Sequence, residues 1–122
     1  LRGGVTGKHV DVAELTAILE TGASPVHPFE PQRVDAVESV YPAPAAEFVL
    51  SRIMPGPGRR YTARPETGAR IILCTEGRAV VTVPATGETL TLRKGRSVFV
   101  AGSIGSYTLT GRGVFYQAAT PA

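Results

Sequence analysis

The sequence has no tryptophan, one methionine, one cysteine and two histidines in 122 residues. A lone cysteine, Cys74, rules out an internal disulfide and suits a reducing compartment, so a cytoplasmic location is expected. It sits in the apolar run "ARIILCTEG" with no histidine nearby in sequence, which marks it as a small buried hydrophobe rather than a nucleophile. No apolar run approaches the roughly 18–20 residues that a membrane-spanning helix requires, and no membrane partner is expected. Aromatic residues make up only 7%, and none interleaves with a long basic stripe. Thirteen Lys and Arg against ten Asp and Glu give a net charge of +3, but the cations are scattered. Their densest group, Arg59, Arg60 and Arg64, falls in a Gly/Pro-rich stretch and reads as a solvated loop. No nucleic-acid partner is therefore expected. An initiator methionine is also missing, since the chain starts at Leu1, which suggests a piece of a longer protein.

Hydrophobic residues make up 43%, enough for a folded chain, and the length suits one domain with a core and little more. Fourteen glycines and ten prolines point to many short elements joined by tight turns, as in small all-β domains. "DVAELTAILETG" reads as one helix near residues 12–21. Asp11 is its N-cap, Glu14 completes a capping box, and Val12, Leu15, Ile18 and Leu19 form one apolar stripe that must lie against something. Gly22 suits the C-terminal cap, and Pro25 prevents continuation. Residues 25–46 form a connector interrupted by Pro25, Pro28, Pro31, Pro42 and Pro44, with room for a short strand around "VESVYP". From Glu47 onward β-rich runs follow one another: "EFVLSRIM", "ARIILCTEG", "RAVVTVPATG", "ETLTLRKG", "SVFVAGSIG", "SYTLTGRG" and "VFYQAAT". Each is closed by a glycine or a glycine-containing turn, and the spacing predicts an antiparallel sandwich or barrel over residues 47–120.

The stretch "TEGRAVVTVPATGETLTLRKGRSVFVAGSIGSYTLTG" resembles the cupin jelly roll. The expected fold is therefore mainly β, a cupin-like jelly-roll sandwich preceded by one short helix and a Pro-rich connector. Metal-binding cupins carry two His and a Glu on the first of these strands and a further His after a turn. Here the first strand reads "GRAVVTVPA", and Ser106 stands where the second-motif His would fall. No metal is expected in this β domain.

The order of segments carries a second resemblance. "LRGGVTGKHVDV", a helix, a Pro-rich connector, "YPAPAAEFVLSRI" and the degenerate cupin together resemble the C-terminal end of type I mannose-6-phosphate isomerases. Leu1, Arg2, Gly3, Gly4, Thr6, Lys8, Asp11 and Val12 match a motif of that family, with Gly7 in place of its usual Pro. The resemblance covers nearly all of the chain. It implies residues 1–24 as the end of a catalytic region, 25–46 as a connector and 47–122 as a C-terminal non-metal cupin-like domain. It also implies an isomerase of mannose 6-phosphate and fructose 6-phosphate that uses zinc, with its zinc ligands upstream of Leu1. His9 and His27 match no zinc ligand, so this piece alone is expected to be inactive.

In that family the proton moves between C1 and C2 through a cis-enediol, and charge develops on an oxygen. By resemblance, Arg2 is the catalytic candidate, its fixed guanidinium donors suited to such an oxygen. Lys8 is the substrate-binding candidate, a mobile point charge suited to a phosphate or hydroxyl. Asp11 is better explained as a helix cap, and Tyr41 as a packing residue. The rival reading is a stand-alone cupin-like module that binds a sugar or a partner without catalysis. "LRGGVTGK" discriminates against it, because a pure binding module has no need of that motif.

Overall fold

The computed structural model describes residues 7, 9, 11–23, 25–65 and 68–120. Among these residues one helix, α1 (Val12–Ile18), precedes eight strands: β1 (Gln32–Arg33), β2 (Glu38–Tyr41), β3 (Val49–Ile53), β4 (Tyr61–Thr62), β5 (Arg70–Thr82), β6 (Thr89–Arg93), β7 (Ser97–Val100) and β8 (Thr108–Ala119). A single 3₁₀ turn, Gly102–Ile104, joins β7 to the last strand.

Asp11 caps α1 as expected, its Oδ1 accepting from the Glu14 amide at 3.0 Å. The helix ends at Ile18, short of the expected 12–21, and Leu19 is already extended. None of its residues is buried, and Val12, Ile18 and Leu19 are exposed. Helices this short are marginal without tertiary packing, and among the described residues nothing covers the apolar stripe. The Thr16 hydroxyl bonds back to the carbonyls of Val12 and Ala13, which further favours a short helix.

The strands all pair antiparallel, in the order β1-β2-β3-β8-β5-β6, with β4 added to β8 and β7 to β5. Two long strands organise the sheet. The first part of β5 pairs with β7 and with the end of β8, which in turn pairs with β3. The second part of β5 pairs with β6 and with the start of β8, where β4 also joins. The sheet thus has two leaves sharing β5 and β8. Their inner faces meet in one core that includes Ile53, Ile72, Cys74, Phe115, Val81, Leu92, Leu109 and Tyr107. This is the expected jelly-roll sandwich, and β1 and β2 bring part of the Pro-rich stretch into it. Asp35 sets the β1–β2 turn, accepting from the amides of Val37 and Glu38 at 2.7 and 2.8 Å.

The glycine-closed reading of the strands fails at two places. "ARIILCTEG" and "RAVVTVPATG" form one 13-residue strand, and "SYTLTGRG" with "VFYQAAT" forms one of 12 residues. Gly77 and Gly113 do not turn the chain. They oppose each other across β5 and β8, next to a bulge between Cys74 and Glu76. A Cβ on Gly77 would collide with the Arg112 carbonyl, and one on Gly113 with the Glu76 carbonyl. Gly77 also has φ +72°, a left-handed conformation that favours glycine. The bulge changes which alternate residues point inward. Arg70, Ile72 and Cys74 are buried before it, Ala79 and Val81 after it.

Candidate functional site

Among the described residues, three polar side chains are buried within the sandwich: Ser51 on β3 and Arg70 on β5, each 2% exposed, and Gln117 on β8, 6% exposed. Each holds the inward phase of an alternating strand. Ser51 lies between Val49 and Ile53, Arg70 precedes Ile72 and Cys74, and Gln117 lies between Phe115 and Ala119. Register then brings them together, since Ser51 pairs with Gln117 and Arg70 with Ala119.

A buried guanidinium is costly unless its donors are met. Arg70 donates from one terminal nitrogen to the Arg64 carbonyl at 3.0 Å and from the other to the Gly105 carbonyl at 3.1 Å. Its guanidinium lies over the Tyr107 ring, 5.7 Å from the centroid. Arg70 thereby ties two loops to β5. The Tyr107 hydroxyl, wholly buried, donates to Gln117 Oε1, which leaves Nε2 as the remaining hydrogen-bonding group of that amide. Tyr61 tilts against Tyr107 with ring centroids 6.2 Å apart. Burial pushes the Tyr107 phenol far above its ordinary range, with Tyr61 adding to the effect, so it stays protonated.

These groups surround a cavity of about 400 Å³. Ser51, Tyr61, Arg70 and Gln117 form its buried floor, Glu38, Val40 and Val49 stand half-buried at its side, and Arg64 and Thr120 are exposed at its rim. Such a chamber can bind. No nucleophile is paired with a base among the described residues that line it. Burial raises the Cys74 thiol, opposed by its contact with the Glu76 carbonyl, and its Sγ lies 3.3 and 3.4 Å from the carbonyls of Glu76 and Gly77. That is the buried, unreactive cysteine expected from the sequence.

A second charged feature lies on the outer face. Arg93 on β6, Arg78 on β5 and Arg112 on β8 are directly opposed in one row, and all three are exposed. None of the three has an ion-pair partner among the described residues.

Arg2 and Lys8 lie outside the described residues. His9 and His27 are exposed. Tyr41 stacks on Tyr116 with centroids 6.4 Å apart, a packing role as expected. Arg59 and Arg60 are exposed around a tight turn in which Gly56 and Arg59 exchange backbone hydrogen bonds. Ser106 donates to the Ala63 carbonyl at 2.8 Å, holding a loop. Among the described residues no three of His, Cys, Asp and Glu come together, so those residues do not fit a zinc ion. No helix among them is long and apolar enough to cross a membrane. Ser51, Arg70 and Gln117 carried no local signal in the sequence beyond one: each is a polar residue at a position where strand alternation calls for an apolar one.

No protein-family model matches the chain. The mannose-6-phosphate isomerases of Escherichia coli (strain K12) and Shigella flexneri are each 31% identical to it over 114 residues, 93% of this chain and 28% of theirs. The chain thus spans less than a third of the curated relatives it matches. The apo crystal structure of mannose 6-phosphate isomerase from Salmonella typhimurium superposes with a TM-score of 0.76 at 22% identity, covering 97% of this chain and 30% of that one. A mannose 6-phosphate isomerase bound with zinc and yttrium gives the same TM-score, identity and coverage. The fold of this chain is therefore the cupin-like fold of those isomerase structures.

Proposed function

We propose that this chain is the C-terminal part of a mannose-6-phosphate isomerase, an aldose–ketose isomerase that interconverts mannose 6-phosphate and fructose 6-phosphate. The observation that carries the reading is the 31% identity to such isomerases over 93% of the chain. The matching motif Arg2-Gly3-Gly4…Thr6…Lys8 adds to it. The exposed stripe of Val12, Ile18 and Leu19 is consistent with a partner surface, and the proposed partner is the N-terminal catalytic region of the same protein. The cytoplasm is the proposed location, as the lone cysteine suggests.

In this reading zinc, which supplies Lewis-acid chemistry when bound, is held by residues upstream of Leu1, so the fragment alone is inactive. The roles assigned to this chain are those of Arg2 and Lys8. As the proton leaves C1 or C2, negative charge grows on the neighbouring oxygen, and the Arg2 guanidinium stabilises it with fixed donors. Loss of one such donor costs about 2.7–4 kcal/mol in related chemistry. Gly3 and Gly4 let the backbone approach the sugar closely. Lys8 holds the phosphate or a hydroxyl as a point charge.

Steady-state kinetics on the complete enzyme, with metal content measured in parallel, tests these assignments. Arg2→Ala should lower kcat by about two to three orders of magnitude with zinc retained. Arg2→Lys should recover little, because an ammonium cannot offer two parallel donors. Lys8→Ala should act mainly by raising KM for mannose 6-phosphate. Near-normal turnover in zinc-loaded Arg2→Ala would reduce the opening motif to a turn.

A further inference from the structure

We propose that the cavity within the sandwich is a binding site for a monosaccharide-sized hydroxylated anion, a sugar acid or a sugar phosphate. The inference does not depend on the proposed isomerisation. It starts from two buried groups. Ser51 and Gln117 are 2% and 6% exposed and line the cavity. Among the described residues, the Ser51 hydroxyl and the Gln117 Nε2 have no protein hydrogen-bond partner, and both atoms stay open to the chamber rather than sealed from solvent. Buried polar groups in folded proteins are nearly always satisfied, and those facing a chamber are satisfied by what occupies it.

The lining specifies the occupant. Ser51 can donate and accept, Gln117 Nε2 donates, and the Glu38 carboxylate accepts, a mixture that matches hydroxyl groups, which also do both. Val40, Val49 and Ala119 offer an apolar wall for the C–H face of a sugar. Among the described lining residues the charged groups are Arg64, Arg70 and Glu38, and Arg64, exposed at the rim, offers a cation to one anionic group on the ligand. Arg70 is held rigidly by its two carbonyl acceptors, while Arg64, exposed at the rim, can swing onto an anion as it enters. The volume of about 400 Å³ suits a monosaccharide-sized ligand. A metal ion is disfavoured, because Glu38 is the only carboxylate in the described lining and shares it with two arginines.

The test is a titration of the 122-residue chain followed by its backbone amide and Gln117 side-chain NH₂ resonances. The probes are gluconate and glucose 6-phosphate, with mannitol and acetate as controls. Either hydroxylated anion should shift the Gln117 NH₂ signals saturably. Mannitol, which lacks the charge, and acetate, which lacks the hydroxyls, should each bind at least about tenfold more weakly. Val40→Phe, which intrudes on the chamber, should weaken the shift, and the exposed Arg64→Ala should weaken it about tenfold while leaving the spectrum folded. Should Val40→Phe fail to fold, Ser51→Ala removes the hydroxyl with less disturbance and should also weaken binding. Failure of both anions to bind the folded wild type would overturn the proposal. So would equal binding of mannitol or acetate, or binding unchanged in folded Val40→Phe or in Arg64→Ala.

Discussion

Tyr107 shows how one side chain couples burial to pH. Its hydroxyl is wholly buried and bonded to Gln117, and its ring carries the Arg70 guanidinium. The phenol stays protonated in the fold well above its ordinary value of 10.0, whereas in the unfolded chain it ionises near that value. Above about pH 10 the folded state therefore binds more protons than the unfolded state, and stability falls as pH rises. The slope for one such group is about 1.4 kcal/mol per pH unit. Below pH 10 its contribution is fully present. Urea unfolding from pH 7 to 11 should show this alkaline decline, beginning near pH 9, where Cys74, also raised by burial, adds to it. Tyr107→Phe should be less stable at pH 7 by about 1–3 kcal/mol, because it leaves Gln117 Oε1 unsatisfied. Its alkaline slope should be shallower by one proton, and equal slopes would place the titration elsewhere. At this scale the sequence was legible where chemistry is local. Cys74 in an apolar run and Asp11 ahead of Glu14 behave as their neighbours imply. Arg70 was not legible, because its burial depends on carbonyls at Arg64 and Gly105 and on a ring at position 107.

Among the elements, the central pair of strands is where local reading and tertiary structure diverge. A glycine inside an apolar run signals a turn as readily as a bulge, and only the partner strand decides. Gly77 faces Gly113, so each explains the other, but they stand 36 positions apart, beyond any local window. The helix errs in the other direction. Its cap was legible, whereas its end depends on a surface that the described residues do not supply. The same pairing sets three arginines in one exposed row across β6, β5 and β8, and like charges directly opposed on a sheet are unfavourable. Arg78→Glu turns two repulsions into two attractions. It should raise the melting temperature by a few degrees at low ionic strength, and by less at 1 M salt, where screening is strong. A melting temperature that fails to rise would mean that the three side chains already fan apart into solvent.

For the molecule as a whole, the jelly roll was legible because strand spacing and turn residues repeat along the second half of the chain. The chamber within it was not, because Ser51, Arg70 and Gln117 converge from three strands. The two leaves share β5 and β8, and that has a consequence for how the protein comes apart. A sandwich whose sheets are joined only by loops can in principle lose one sheet and keep the other. Here every residue of β5 belongs to a backbone continuous through both leaves, so melting either one removes half the hydrogen-bonded neighbours of the same strand. The β domain should therefore be a single cooperative unit. Native-state hydrogen exchange should give the amides of Ile72 and Val81, at opposite ends of β5, the same opening free energy, equal to that of global unfolding, whereas amides of α1 should exchange through fraying alone. Two distinct opening energies along β5 would show instead that the bulge at Cys74–Glu76 acts as a hinge at which the domain divides.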